Sequence, residues 1–150
     1  VADGLRGRIA IVYGGGPISG AAAGRWKTQI NENAKMPAWH SLLPELDHNE
    51  LVSWEAIPEL TREHVGIVTL TDVADHRRIR ARIDHSLALT QDAVPWLAEV
   101  DSRGDSAVAR LMSLTVVGDL ASWMMAVDTG VDPVGVNTIE KLKRLLTDNG

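Results

Sequence analysis

Two short segments hold the residues best suited to chemistry. Asn31-Glu32-Asn33-Ala34-Lys35 sets one carboxylate between two amides, and Pro44-Glu45-Leu46-Asp47-His48-Asn49-Glu50 sets an imidazole among acids. Glu32 and His48 stand sixteen residues apart. A carboxylate and an imidazole are the pair that a proton-shuttling enzyme requires. Taken singly, each segment reads better as helix-end or loop chemistry. A third feature, Gly14-Gly15-Gly16-Pro17, lies between an apolar run and a helical pattern. Helix N-termini bind anions, so it invites a phosphate-cradle reading. Its spacing matches neither the dinucleotide fingerprint nor the Walker pattern, which favours a tight structural turn over ligand contact.

Other chemistries find less support. The five histidines, His40, His48, His64, His76 and His85, include no i, i+4 ligand pair, and no metal site is expected. There is no cysteine, which removes disulfides, thiolate zinc sites and cysteine nucleophiles and fits a cytoplasmic, reducing setting. No Gly-x-Ser-x-Gly elbow supports a serine hydrolase. Arg77, Arg78, Arg80 and Arg82 read as a solvated helix face opposite Ile79 and Ile83. Fifteen basic against twenty acidic residues leave a net charge of −5, and with no cluster of lysines nucleic acid is not an expected partner.

The elements that must position these groups follow from hydrophobic pattern. The 150 residues suit one domain, and 45% hydrophobic with 23% charged residues is the balance of a soluble globular chain. With no Phe, the core must be built from Leu, Val, Ile, Ala and the five tryptophans. Three buried strands are predicted, at Arg8–Tyr13, Val65–Leu70 and Ala93–Val100. Helices are predicted over Ala21–Lys35, Asp75–Leu89 and Asp105–Val127, with a short one at Asn49–Trp54 and a last one opening at Asn137. Met36–His48, with Pro37 and Pro44, reads as an irregular excursion. The stretch Leu111–Val127 is the most apolar, but with Asp119 inside it is short for a bilayer and reads as a central buried helix. Asp119 must then find a hydrogen-bond partner. Strands alternating with helices imply an α/β layer fold with a small, mainly parallel sheet that leans on another domain or subunit. The N-terminus has no apolar signal core and no Met, and reads as the start of a fragment.

Three segments carry a family resemblance: RWKTQINENAK (Arg25–Lys35), LPELDHNE (Leu43–Glu50) and GVDPVGVNTIEKLKRL (Gly130–Leu145). The chain resembles the C-terminal sugar isomerase (SIS) domain of the bifunctional phosphoglucose/phosphomannose isomerases. The resemblance implies a three-layer, flavodoxin-like SIS fold and the interconversion of glucose 6-phosphate, mannose 6-phosphate or both with fructose 6-phosphate through an enediolate. It implies Glu32 as the base moving a proton between C1 and C2, His48 in ring opening and Lys143 at the ring oxygen. It also implies a homodimer in which the histidine serves the opposite subunit's site, and no cofactor. On a helical wheel Lys143 lies at one edge of the Ile139/Leu142/Leu146 face and Lys141 at the other, so periodicity does not choose between them. The family's phosphate-binding Ser/Thr loop and an arginine near the enediolate belong to an N-terminal SIS domain that is not in this chain. The chain alone is therefore expected to be nearly inactive. Val136 stands where some members carry a small polar residue near the sugar, which bears on the glucose/mannose choice. The alternative implied function is a non-catalytic SIS module that binds sugar phosphate and regulates a partner.

Overall fold

The computed structural model describes residues 1–148. In chain order the regular elements are α1 (Ala2–Leu5), β1 (Ile9–Gly14), α2 (Pro17–Asn33), β2 (Ala38–Leu42), α3 (Pro58–His64), β3 (Val65–Thr71), α4 (Arg77–Thr90), β4 (Trp96–Asp101), α5 (Ala107–Thr129) and α6 (Asn137–Asp148). Two 3₁₀ turns, Glu45–His48 and Leu51–Glu55, fill the connection after β2. The four strands pair in parallel in the order β2-β1-β3-β4, the doubly wound order of flavodoxin-like sheets.

Strand periodicity of two makes this a three-layer molecule. Ala10, Val12, Val68 and Leu70 face a core shared with α2 and α5, whereas Tyr13, Val65 and Ile67 face Ile83 and Leu87 of α4 and Leu43 and Leu46 of the connection. β3 is buried at every position, as expected of a strand covered on both faces. Trp26 of α2 is fully buried and donates from Nε1 to the Leu114 carbonyl of α5 at 2.8 Å. Its indole occupies the space beside Gly118, where a Cβ would lie 2.5 Å from the ring, so the glycine permits the close approach of the two helices. Asp119 finds its partner one residue further on: Arg25 binds both carboxylate oxygens, at 3.2 and 2.9 Å.

Three expectations need correction. The Met36–His48 segment is not irregular throughout, because Ala38–Leu42 forms a fourth strand in register with Ala10–Gly14. It is an edge strand with His40 and Trp39 exposed, bracketed by Pro37 and Pro44, so it lacks the apolar run of a central strand. α1 and α3 are additional short helices. Finally, α5 is not buried all round. Leu114, Gly118, Ala121, Ser122, Met125 and Ala126 face the core, whereas Met112, Leu120, Trp123, Met124 and Val127 are at least half exposed. By length and composition α5 could cross a membrane; here one flank packs on α2 and the other forms an apolar surface.

Candidate active site

Glu32 lies in the last turn of α2, and its two neighbours fix that turn. Asn31 donates from Nδ2 to the Met36 carbonyl at 2.8 Å and the Ala38 carbonyl at 3.4 Å, holding the chain that enters β2. Asn33 donates to Ser122 of α5 at 2.9 Å and to Gln29 at 3.0 Å. Lys35 takes a left-handed backbone conformation (φ 56°), which turns the chain out of the helix, and its Nζ donates to the Glu32 carbonyl at 2.5 Å. The Glu32 carboxylate takes no part in these bonds. It is exposed to a cleft of about 410 Å³ between the end of α2 and the start of α6, lined by Asn31, Glu32, Lys35, Val136, Asn137 and Ile139 among others.

The sequence reading did not single out Asn137 or Thr138, which face Glu32 across the cleft. The signal was present in the helix start at Asn137, but α6 reaches Glu32 only through tertiary folding. Lys143 lies one turn beyond Ile139 on the same flank of α6 and is exposed. It does not line the cleft itself. α6 has no buried residue, and Ile139, Leu142 and Leu146 remain about half exposed or more.

His48 is elsewhere. It ends the 3₁₀ turn Glu45–His48, beyond the C-terminal end of β2, whereas Glu32 precedes the N-terminal end of that strand. Four steps of ~3.3 Å along β2 alone separate the two ends of that strand by about 13 Å. The His48 side chain is exposed. The residues that line the cleft at Glu32 do not include His48 of the same chain.

The glycine turn at the β1/β3 switch point is a structural turn, as favoured from the sequence. Amides of Gly15 and Gly16 donate to Ser19 Oγ at 3.2 and 2.9 Å, and the Ser19 hydroxyl lies 3.3 Å from both Asp75 carboxylate oxygens. A Cβ on Gly16 would lie 1.8 Å from Asp75 Oδ1. The Gly15 and Gly16 amides are therefore satisfied internally, and the nearby hollow is rimmed by Asp72, Asp75 and Asp101 with Arg80. Burial pushes the Asp75 carboxyl up, against the opposing hydrogen bonds from the Asp72 amide and Ser19. Asp72 is also buried, which acts to raise its pKa. Hydrogen bonds from Ser102, the Ala74 amide and Arg110, with the charge of Arg110, outweigh that burial and hold it below the usual range. The arginine run is more than a solvated face. Arg80 pairs with Glu99 and Asp101 at the end of β4, and Arg82 pairs with Asp47 at 2.7 Å.

Comparison with solved structures places this architecture among SIS folds. A glucose-6-phosphate isomerase like protein from Thermus thermophilus superposes with a TM-score of 0.70 at 24% identity, covering 88% of this chain and 43% of that one. The sugar isomerase domain of an RpiR transcription factor from Sphaerobacter thermophilus superposes with a TM-score of 0.62 at 16% identity, covering 95% and 83%. At these identities the likeness defines the fold alone. Sequence comparison defines the family. Residues 1–146 match the bacterial phospho-glucose isomerase C-terminal SIS domain, and the chain belongs to that family. It is 38% identical over 148 residues to a bifunctional phosphoglucose/phosphomannose isomerase of Aquifex aeolicus, covering 97% of this chain and 45% of the relative. It is 34% identical over 140 residues to the protein of the same name from Thermoplasma acidophilum, covering 93% and 43%. The chain thus spans less than half the length of these relatives.

Proposed function

We propose that this chain is the C-terminal SIS domain of an aldose–ketose isomerase that interconverts glucose 6-phosphate, mannose 6-phosphate or both with fructose 6-phosphate. Glu32 takes the C2 proton of the open-chain aldose, leaving an enediolate across C1 and C2, and returns the proton to C1 while the hydroxyl proton passes from O2 to O1, which gives the ketose. Glucose and mannose differ only at C2 and share that planar intermediate, so the face on which C2 is reprotonated decides between them. His48 assists ring opening and Lys143 acts at the ring oxygen. The carboxylate carries the proton itself, and the reaction redistributes oxidation state within one molecule, so the scheme calls for no metal and no organic cofactor.

The observation that carries this reading is the placement of Glu32 and His48 before and after β2, with only Glu32 lining the cleft, in a member of an isomerase family. Two residues of complementary chemistry held apart in this way can meet across a two-fold axis, where each copy donates what it receives. The active site is accordingly shared in a homodimer. An N-terminal SIS domain of the same protein completes it by binding the phosphate, and the exposed apolar flank of α5 is a surface suited to such a neighbour. The enzyme acts in the cytoplasm, consistent with a cysteine-free chain.

The test is subunit complementation in the full-length protein. Glu32→Gln and His48→Ala variants each retain only a small residual activity alone; mixed dimers regain one intact site of two. With random pairing about half the dimers are mixed, so roughly a quarter of wild-type activity returns. Demonstrated subunit exchange with no recovered activity would refute the shared site.

A further inference from the structure

His48 is exposed, yet the segment that carries it is fastened on both sides. Immediately before it, the Asp47 carboxylate accepts hydrogen bonds from Arg82 Nη1 and Ser86 Oγ of α4, each at 2.7 Å. Asp47 is only 10% exposed. Two residues after His48, Glu50 turns back into the molecule, where its carboxylate accepts the Ser41 hydroxyl of β2. The second Glu50 oxygen is buried, and the Tyr13 hydroxyl of β1 faces both Glu50 and Trp54. Burial first, and the Glu50 charge second, push the Tyr13 phenol far above its ordinary range, so it stays protonated beside the carboxylate. Leu46, 2% exposed, anchors the same turn in the α4-side core.

Withdrawing a carboxylate from water is unfavourable unless hydrogen bonds replace its hydration. Here two carboxylates are withdrawn on either side of one exposed imidazole, and their hydrogen bonds tie it to two different elements, α4 and β2. A loop whose only task was to connect β2 with α3 would not need its position fixed from both faces of the turn. A side chain that must meet a reacting group on another subunit does, because catalysis depends on placement to within about an ångström.

We propose that Asp47 and Glu50 are positioning residues that hold His48 in one outward pose for use in the neighbouring subunit's site. This rests on the reading of His48 given above. Neither carboxylate touches substrate; both act through the imidazole.

A double-mutant cycle in the full-length protein tests this. Asp47→Asn and Glu50→Gln are each made in the wild-type and His48→Ala backgrounds, with kcat, KM and the unfolding midpoint measured for every variant. With His48 present, each lowers kcat by on the order of ten-fold with KM little changed. With His48 already removed, neither lowers kcat further. Should Glu50→Gln fail to fold, Ser41→Ala removes one bond of the same cluster and is carried through the same cycle. An equal fall in kcat in both backgrounds overturns the positioning role, as does no fall in either. If His48→Ala alone leaves kcat intact, the reading of His48 itself is overturned, a result distinct from either.

Discussion

The ion pair between Asp72 and Arg110 joins the end of β3 to the first turns of α5, and replacing Arg110 with Met tests how the sheet's C-terminal edge is held. Arg110 Nε lies 2.8 Å from Asp72 Oδ1, and the two side chains are 15% and 2% exposed. Methionine keeps most of the aliphatic length and removes the charge, leaving Asp72 buried with its bonds from Ser102 and the Ala74 amide. Removing one partner of a buried pair typically destabilises by about 3–5 kcal/mol. The two surviving hydrogen bonds put this case at the low end, about 3 kcal/mol. For a chain of this size each kcal/mol shifts Tm by about 2–4 °C, so the expected fall is roughly 6–12 °C at neutral pH. The pH dependence gives a sharper check. In the wild type the Asp72 pKa is depressed, so its contribution is present above the unfolded value of about 4 and is lost as pH falls through the folded value. In Arg110→Met burial is no longer opposed by the guanidinium, and the pKa moves up. The variant's penalty is then relieved as pH falls toward about 4. The stability gap should therefore narrow on acidification, as read from urea midpoints between pH 7 and pH 4. Adding Asp72→Asn should recover part of the loss. A neutral-pH cost under about 1 kcal/mol, or a gap that stays constant with pH, would refute the reasoning.

Gly14→Ala should destabilise by about 1–3 kcal/mol, measured by denaturant midpoint, because the added Cβ would lie 2.7 Å from the Ser19 carbonyl oxygen and 2.9 Å from Gly20 Cα. These are backbone atoms that cannot swing aside, and a neutral result would mean that the turn is looser than described. In the full-length protein, Glu32→Gln should lose about 10²–10⁴ of deuterium wash-in at the sugar's C2 while its unfolding midpoint stays within about 0.5 kcal/mol of wild type. Persistent exchange would remove Glu32 from the role of base.

The central sheet was legible because its inner strands are apolar runs ending in turn signals, as in Arg8–Tyr13 before Gly14 and in Val65–Leu70. β2 was not, because an edge strand needs no apolar face and Pro37 and Pro44 mark it as loop. The misreading of α5 has a related cause. Hydrophobicity all round a helix shows that it avoids water, but not which neighbour covers each side, and here the described residues leave one flank of α5 exposed. For the site, the residue types suggested proton transfer, but the roles came with the resemblance and the separation of Glu32 from His48 required the fold. Nothing in a spacing of sixteen residues reveals that a strand intervenes and carries the second residue past its other end.

The two chemical segments nevertheless share a construction that follows from elementary physics. In Asn31-Glu32-Asn33 the outer residues bind backbone and a neighbouring helix, and the middle carboxylate is left facing a cleft. In Asp47-His48-Asn49-Glu50 the outer carboxylates bind α4 and β2, and the imidazole is left facing outward. A group that must exchange protons with a substrate cannot spend its own hydrogen bonds on holding itself in place, so its neighbours must do the holding. Polar residues on both sides of a lone titratable one, at a helix end or in a tight turn, are thus what a presented proton carrier requires. The same reasoning separates these segments from the glycine turn. There Ser19 takes the Gly15 and Gly16 amides and itself turns to Asp75, so these groups are spent on the turn.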